Sequence, residues 1–256
     1  MDTNGSVGVV GVGEIASAIV EGRCAGANPP AFFLSPRGAA NAAALARRFP
    51  SVRVCGSNQE VVDRADTVLL SVRYEHREAV LAGLDVRPEK TVVSALAGVG
   101  IAELRRLLRT DATLVRAIPL PAVRARASVT VVHPAHPAAA ALFDPLGGTL
   151  AIPDEASFAV YSALTATVST HLGYLGSLTE WAVAQGVPAE DAARYVRSMF
   201  RNVGLALGDE SRSLDRLAAD HETPGGNNEQ VRTAWLDEEN RLALHRVLDE
   251  RLDRLR

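Results

Sequence analysis

The sequence predicts an α/β fold: an N-terminal doubly wound parallel sheet followed by an all-helical C-terminal domain. Three observations carry this. Val7 to Val12 is a short run of small, β-branched residues, interrupted by glycines, that passes directly into a helical pattern. From there to Ile152 strand-like and helix-like segments alternate, the pattern of a sheet wound with right-handed crossovers. From Asp154 to Arg256 no strand signal occurs. The pattern changes between Ile152 and Glu155, dividing residues 1–153 from residues 154–256.

The elements follow in order. After the first strand and helix, Ala31 to Ser35 reads as a second strand, turned by Pro36-Arg37-Gly38 into an alanine-rich helix from Ala39 to Phe49. Val52 to Val54 is a short third strand, and Asn58 to Ala65 a brief helix with Ser57 or Asn58 as its cap. Thr67 to Val72 is a fourth strand, apolar on both faces as a buried parallel strand demands. Tyr74 to Leu84 is helical, Thr91 to Ser94 a fifth strand, Ile101 to Leu108 a helix and Thr113 to Arg116 a sixth strand. Ser128 to Val132 and Thr149 to Ile152 add strands around a helix from Ala135 to Phe143. The second domain reads as one long helix from Glu155 to Gln185, a second from Ala189 to Leu207, a short one from Ser213 to Ala219 and a last one from Asn228 onward. Thr223-Pro-Gly-Gly breaks the chain before that last helix.

Composition narrows the function. A net charge of −3 leaves no electrostatic footprint for nucleic acid. No apolar run is long enough to span a bilayer and no charged-then-apolar leader opens the chain, so a cytoplasmic location is the expectation. Cys24 and Cys55 are isolated, which indicates neither a disulfide framework nor a zinc site. Lys90 is the single lysine and sits in a Pro-Glu-Lys turn, which weakens any mechanism that needs a catalytic lysine. His133 and His136 stand three apart, but prolines make their segment a loop, and no metal is expected. A serine hydrolase is unsupported because no G-x-S-x-G elbow occurs.

The glycine turn reads Gly11-Val-Gly13-Glu14-Ile15-Ala16, a G-x-G-x-x-A. Gly11 permits the tight turn out of the strand, Gly13 lets a pyrophosphate approach the backbone, and Ala16 allows the helix to pack closely on the strand. The following helix would turn its free N–H groups and positive dipole end toward the phosphates. This is the context of a Rossmann-type dinucleotide site. Ligands of such sheets bind beyond the carboxyl ends of the strands. Those ends hold Gly11 to Ala16, Ser35 to Arg37, Ser71 to Tyr74, Ser94 to Gly98 and Arg116 to Pro121. They nominate Gly11, Gly13, Glu14, Ile15, Ser35, Arg37, Ser71, Val72, Arg73, Ala95 and Ala97 as cofactor contacts, with Asn58 beside them. An NAD-type site places an acid roughly 20 residues beyond the glycines. Here the second strand ends in Ser35-Pro36-Arg37, and no Asp or Glu occurs between Glu21 and Glu60. That suits the 2′-phosphate of NADP(H). In the helical half, His171 and Tyr174 lie three apart and share a face. They either donate a proton near the nicotinamide or simply pack.

The motifs occur in the order of the pyrroline-5-carboxylate reductase family, which the chain resembles over nearly its full length. The family's G-x-G-x-M-A-x-A-I is here Gly11 to Ile19, and its asparagine before the third helix is matched by Asn58. Its A-V-K-P is Ser71-Val72-Arg73-Tyr74, and its S-x-A-A-G is Ser94-Ala95-Leu96-Ala97-Gly98. Its S-P-G-G-x-T is Thr223-Pro224-Gly225-Gly226-Asn227-Asn228. The resemblance implies a Rossmann domain, a helical domain that interlocks with a partner's, and hydride transfer from NAD(P)H to a C=N bond, giving proline. Departures cluster on the substrate side. R-x-M-P-N-T-P is Arg116-Ala-Ile-Pro119-Leu-Pro121-Ala122, without the Asn and Thr, and S-G-S-G-P-A-Y is Thr165-Ala-Thr-Val-Ser169-Thr-His171, without glycines or proline. The substrate-contacting threonine is replaced by Asn228.

The expectation is an NADPH-dependent reductase of a small, imine-type substrate, dimeric or larger through its helical domain. Thr223, Gly225, Gly226 and Asn227 would line the substrate site, and the Pro-Gly-Gly turn could cradle a carboxylate. Asn228 would hold the ring nitrogen or that carboxylate, and water or His171 would supply the proton. Two alternatives stay open: a carbonyl reductase with hydroxyacid-dehydrogenase-like architecture, and a cofactor-binding protein without turnover. A self-contained helical bundle is the alternative to the dimer.

Overall fold

The computed structural model describes residues 5–255. By its contacts the chain divides into two compact units, Met1–Ser162 and Ala163–Arg256, and each is described by itself.

The first unit is built on one eight-stranded sheet. Its strands are β1 (Val7–Val10), β2 (Phe32–Leu34), β3 (Val52–Val54), β4 (Thr67–Leu70), β5 (Thr91–Ser94), β6 (Thr113–Ile118), β7 (Thr130–His133) and β8 (Thr149–Ala151), in spatial order β3-β2-β1-β4-β5-β6-β7-β8. The first six are mutually parallel. Their crossovers are α1 (Glu14–Cys24), α2 (Ala39–Arg48), α3 (Asn58–Arg64), α4 (Arg77–Leu81) and α5 (Ile101–Leu108). β7 runs antiparallel to β6, and β8 runs parallel to β7. The sheet is therefore doubly wound but not parallel throughout. The reason is local: between Ile118 and Thr130 there is only a 3-10 turn, Pro121–Ala125, and no helix long enough to carry a parallel crossover.

The two-residue period sorts the central side chains onto two faces. Val9, Leu69, Val93 and Val115 are register partners facing one core, with Ile19, Phe32 and Phe143. Val68, Val92 and Leu114 face the other, with Leu81 and Leu104. All of these are buried. Gly8 lies in register with Val68, and a Cβ there would stand 2.8 Å from Ala65 Cβ, so α3 packs directly on the β1 backbone.

Several helix expectations are corrected. Tyr74 to Leu84 is a 3-10 turn, Tyr74–His76, leading into the shorter α4. His136 is the N-cap of α6 (Pro137–Phe143), its Nδ1 accepting from the Ala138 N–H, rather than part of an open loop. Ser57, not Asn58, caps α3 by accepting from the Glu60 N–H. The helix from Glu155 to Gln185 is two helices, α7 (Glu155–Thr165) and α8 (Thr167–Ala184). At the break Thr167 Oγ1 donates to the Leu164 carbonyl, and the Ala166 N–H bonds Ala163 O, three residues back. Such side-chain competition for helix carbonyls interrupts the ladder. The unit boundary at Ser162 and Ala163 falls inside α7, whose start coincides with the change in sequence pattern.

The second unit comprises α8, α9 (Ala189–Ala206), α10 (Leu214–Ala219), α11 (Asn227–Trp235) and α12 (Glu238–Asp253). The last helix read from the sequence is thus two, because Asp237 caps a new start, accepting from the Asn240 N–H at 2.9 Å. Among the described residues no helix is long and apolar enough to cross a membrane.

Lys90 has a structural task. It is 6% exposed, and its ammonium donates to Ala65 O at 2.6 Å and Asp63 O at 3.2 Å, satisfying carbonyls at the end of α3. Lys90→Met should therefore cost about 1–3 kcal/mol of stability by leaving buried acceptors unpaired, measured by urea denaturation.

Candidate functional site

The carboxyl ends of β1, β2 and β4 meet where the strand order reverses, the topological switch point of such a sheet. Gly11 leaves β1 with φ +93°, and a Cβ there would lie 2.8 Å from Ser71 O. The turn is clamped from both sides. The Gly11 N–H donates to Ser35 Oγ at 3.0 Å, and the Ser71 hydroxyl donates to Gly11 O at 2.6 Å. Asn41 Nδ2 takes the next carbonyl, Val12 O, at 3.1 Å. Gly38, φ +87°, lets α2 begin beneath it, since a Cβ there would stand 2.7 Å from Val12 O. Gly13 is the N-cap of α1, and no atom lies within 4 Å of where its Cβ would be. Nothing in the protein's own packing requires a glycine there; a ligand brought against the backbone would.

These elements enclose a cleft of about 390 Å³ lined by Gly11, Val12, Gly13, Arg37, Gly38 and Asn41 on one side and by Ser71, Val72, Arg73 and His76 on the other. No carboxylate is among them. Arg37 and Arg73 are exposed, and neither has a carboxylate partner among the described residues. Arg77, by contrast, is tied to Glu103 at 2.8 Å and lies 3.8 Å over the Tyr74 ring. The cleft presents glycine backbone, the N-terminus of an eleven-residue helix and two unspent guanidinium groups. That is the chemistry of a phosphate-bearing ligand.

Of the nominated residues, Gly11, Gly13, Arg37, Ser71, Val72 and Arg73 lie on this cleft. Ser35 is fully buried, its hydroxyl spent on the Gly11 N–H, so it shapes the turn rather than lining the cleft. Glu14 is exposed and pairs with Arg124 at 2.8 Å, and Ile15 packs against the core. Asn58 opens α3 outside the cleft lining. Ala95, half-buried, gives its N–H to Leu70 O, and Ala97 is exposed before Gly98, φ +73°. The sequence reading missed Gly38, Asn41 and His76. A signal existed for Asn41, the one polar residue in the alanine run that opens α2. Further along the edge, Arg116 is buried, donates to Glu155 at 3.0 Å and lies 4.2 Å over Phe158. Burial pushes its pKa below the ordinary arginine value, opposed by Glu155. Glu155 also accepts from the Ile101 N–H, capping α5.

In the helical unit the Thr223–Asn228 turn is braced from within. Gly225, φ +71°, gives its N–H to Glu229 at 2.6 Å, and the Gly226 N–H bonds Thr223 O at 2.7 Å. Both N–H groups of the double glycine are therefore spent, which corrects their expected role as a carboxylate cradle. Asn227, Asn228 and Glu229 open α11, and first-turn N–H groups have no carbonyl partner within a helix. Asn228 Nδ2 donates to His221 O at 2.7 Å. A Cβ at Gly226 would collide with the Thr223 side chain. His171 and Tyr174 do share a face, and both rings meet Phe200 edge-on at 5.9 Å, while Tyr174 stacks on Trp235 at 5.2 Å. No described hydrogen bond joins His171 to the turn. His133 bonds Ile152 O while His136 caps α6, and among the described residues no three metal-ligating side chains cluster.

Residues 6–98, which hold the turn and cleft, match the family model described as NADP oxidoreductase, coenzyme F420-dependent. Pyrroline-5-carboxylate reductase from Pseudomonas aeruginosa is 33% identical over 116 residues, 44% of this chain and 42% of that protein. Over that stretch the chain is similar in sequence to a pyrroline-5-carboxylate reductase. The sequence match spans less than half the length of that curated relative, but the likeness in fold extends over nearly the whole chain. The Coxiella burnetii pyrroline-5-carboxylate reductase superposes with a TM-score of 0.81 at 21% identity, covering 99% of this chain and 98% of that one. A pyrroline carboxylate reductase from Plasmodium falciparum, solved with NADP bound, gives 0.78 at 14% identity, covering 98% and 97%. At these identities the structures establish the shared fold: a Rossmann-type sheet with a helical C-terminal part.

The two turn glycines should behave differently in this reductase fold. Gly11→Ala should lower stability by about 2–4 kcal/mol, combining a positive-φ penalty with a backbone clash. Gly13→Ala should leave the melting temperature within about 2 °C of wild type, since its Cβ meets nothing. Differential scanning calorimetry of both variants checks this.

Proposed function

We propose that this chain is an NADPH-dependent reductase of a small cyclic imine, acting as a homodimer or higher homo-oligomer. Residues 1–153 hold the cofactor; residues 154–256 supply substrate contacts and the dimer surface. The observation that carries this reading is the open Cβ position of Gly13 beside an acid-free cleft bearing Arg37 and Arg73. A pyrophosphate against the Gly13 backbone and the first turn of α1, with Arg37 after β2 taking a 2′-phosphate, is the arrangement we infer. The Plasmodium falciparum reductase of the same fold, solved with NADP bound, supports the same cofactor here. NADPH, when bound, supplies the hydride.

The protein's own residues act on the substrate's charge. The first-turn N–H groups of α11 suit a substrate carboxylate. With its Nδ2 held by His221 O, Asn228 presents Oδ1, an acceptor suited to the N–H of a protonated imine. Holding that protonated form makes the C=N carbon the better hydride acceptor. The nitrogen proton comes from water or from His171.

The dimer rests on burial. Among the described residues of the second unit, Ala163, Ala192, Val196 and Leu217 are the buried apolar side chains. Leu172, Trp181, Tyr195, Leu205, Val231 and Val247 are each more than 60% exposed. Exposed apolar surface on that scale marks an interaction face.

NADPH oxidation should be seen with a panel of cyclic imines and not with keto acids; turnover of keto acids alone would overturn the imine assignment. In titrations of both cofactors, Arg37→Ala should weaken NADPH by about ten- to a hundredfold and leave NADH nearly unchanged, the loss of a charge-assisted hydrogen bond. Equal losses for the two would show that Arg37 supports the fold. Sedimentation should give a dimer or larger at micromolar concentration, and a well-folded monomer there would remove the assembly proposal.

A further inference from the structure

The opposite, amino-terminal edge of the sheet holds a cation without an ion-pair partner among the described residues. Arg23, in the last turn of α1, is 4% exposed. Its Nε is fully buried with no hydrogen-bond partner, and its guanidinium makes no ion pair among the described residues. A basic residue in the last turn of a helix ordinarily complements the dipole. This guanidinium bonds no helix carbonyl, so that role does not account for its burial. Unpaired buried charge is costly, and such groups are found paired. Burial lowers the Arg23 pKa, and nearby Arg126, also cationic, adds to the lowering against the opposing effect of Cys24.

Arg23 lines two adjoining clefts of about 260 Å³ and 890 Å³. The smaller one starts at Val7 and Thr67, the first residues of β1 and β4, and has no carboxylate among its described lining residues. Apart from Arg23 and Thr67 its walls are glycine, proline and apolar side chains. The larger one contains Asp144, but that carboxylate accepts from the Thr149 hydroxyl at 2.7 Å. A cleft whose described walls are apolar, with one buried guanidinium and no acid among them, suits a small anion with a hydrocarbon body.

We propose that the smaller cleft is a binding site for a small monocarboxylate, its carboxylate on the Arg23 guanidinium and its hydrocarbon body against Pro30, Ala138, Ala141 and Leu142. The site is separate from the cofactor cleft: it lies at the amino ends of β1 and β4, whereas Gly11 and Ser71 follow their carboxyl ends. A planar carboxylate fits the guanidinium fork in a way a point cation would not provide.

Isobutyrate is the probe, with inorganic phosphate at matched ionic strength as the comparison, both added to the full chain. Isobutyrate should raise the melting temperature saturably, by about 3–6 °C at ten times its dissociation constant, and phosphate should not. Arg23→Met, which replaces the unpaired cation by an apolar chain of similar length, should still fold and should lose the response. Ala141→Leu, at an exposed wall position that leaves Arg23 in place, should lose it as well. The site is overturned by the absence of a saturable response in the wild type, by a response that persists in both variants, or by an equal response to phosphate. A melting temperature lowered by Asp2→Asn in the wild type but not in Arg23→Met would also overturn it, by giving Arg23 a counter-ion within its own chain.

Discussion

The double hydrogen bond on Gly11 is the constraint on which the rest of the carboxyl edge depends. β1 is the central strand at which the strand order reverses, so a turn leaving it has a neighbour on each side. Ser35 comes from the end of β2 and Ser71 from the end of β4; one takes the Gly11 N–H and the other gives to its carbonyl. Buried, a turn must satisfy both groups or forfeit stability. Here the two flanking strands do so without occupying the space in front of Gly13. Asn41 settles Val12 O in the same way. The N–H groups at the start of α1 are left facing the cleft, pre-set by bonds made behind them.

The charges around that cleft follow a similar division. The chain carries more acids than bases, yet none of the acids is among the described residues lining the cleft. Glu14 is turned to Arg124, Glu103 to Arg77 and Glu155 to Arg116. The exposed pair, Glu14 with Arg124, contributes little to stability, whereas Arg116 is buried beside its partner. The common consequence of the pairs is the distribution of potential: carboxylates near the carboxyl edge are neutralised by arginines outside the cleft, while Arg37 and Arg73 keep their charge for a ligand.

Much of this was legible in the sequence, for physical reasons that differ by element. The β1 turn and the central strands announced themselves because a parallel strand buried on both faces must be apolar throughout, and Thr67 to Leu70 is nearly that. The reversal of β7 was not legible in strand propensity, which is blind to direction; it is decided by the short, proline-bearing connection before it. The break at Ala166 and the new start at Asp237 turn on single side-chain hydrogen bonds within otherwise helical composition. At the site, glycines and Arg37 were visible because motif and spacing fix them relative to β1 and β2. Ser35 was visible as a position but not as a buried clamp, since burial depends on how β1 and β2 pair. Asn41 and His76 arrive from helical segments whose rotation relative to the cleft is set by packing, and composition alone does not carry that rotation.

The helical unit shows a different balance between local and long-range forces. Its described apolar side chains are mostly exposed, so its own core supplies little of the burial that ordinarily fixes side chains in place. The Thr223–Asn228 turn is nonetheless tightly specified. Glu229 and Gln230 hold the two sides of Gly225, Asn228 ties back to His221 O, and Arg232 pairs with both oxygens of Glu222. His221 in turn bonds Leu217 O at the end of α10. These bonds all lie within a short span of sequence, and so hold whatever the packing of the longer helices. Asn228, where the reductases carry threonine, is one of these bracing residues. Its longer side chain reaches a carbonyl seven residues away while leaving an amide oxygen over. That bond fixes the orientation of the amide, so its oxygen stands as an acceptor in one direction, where a threonine hydroxyl would rotate.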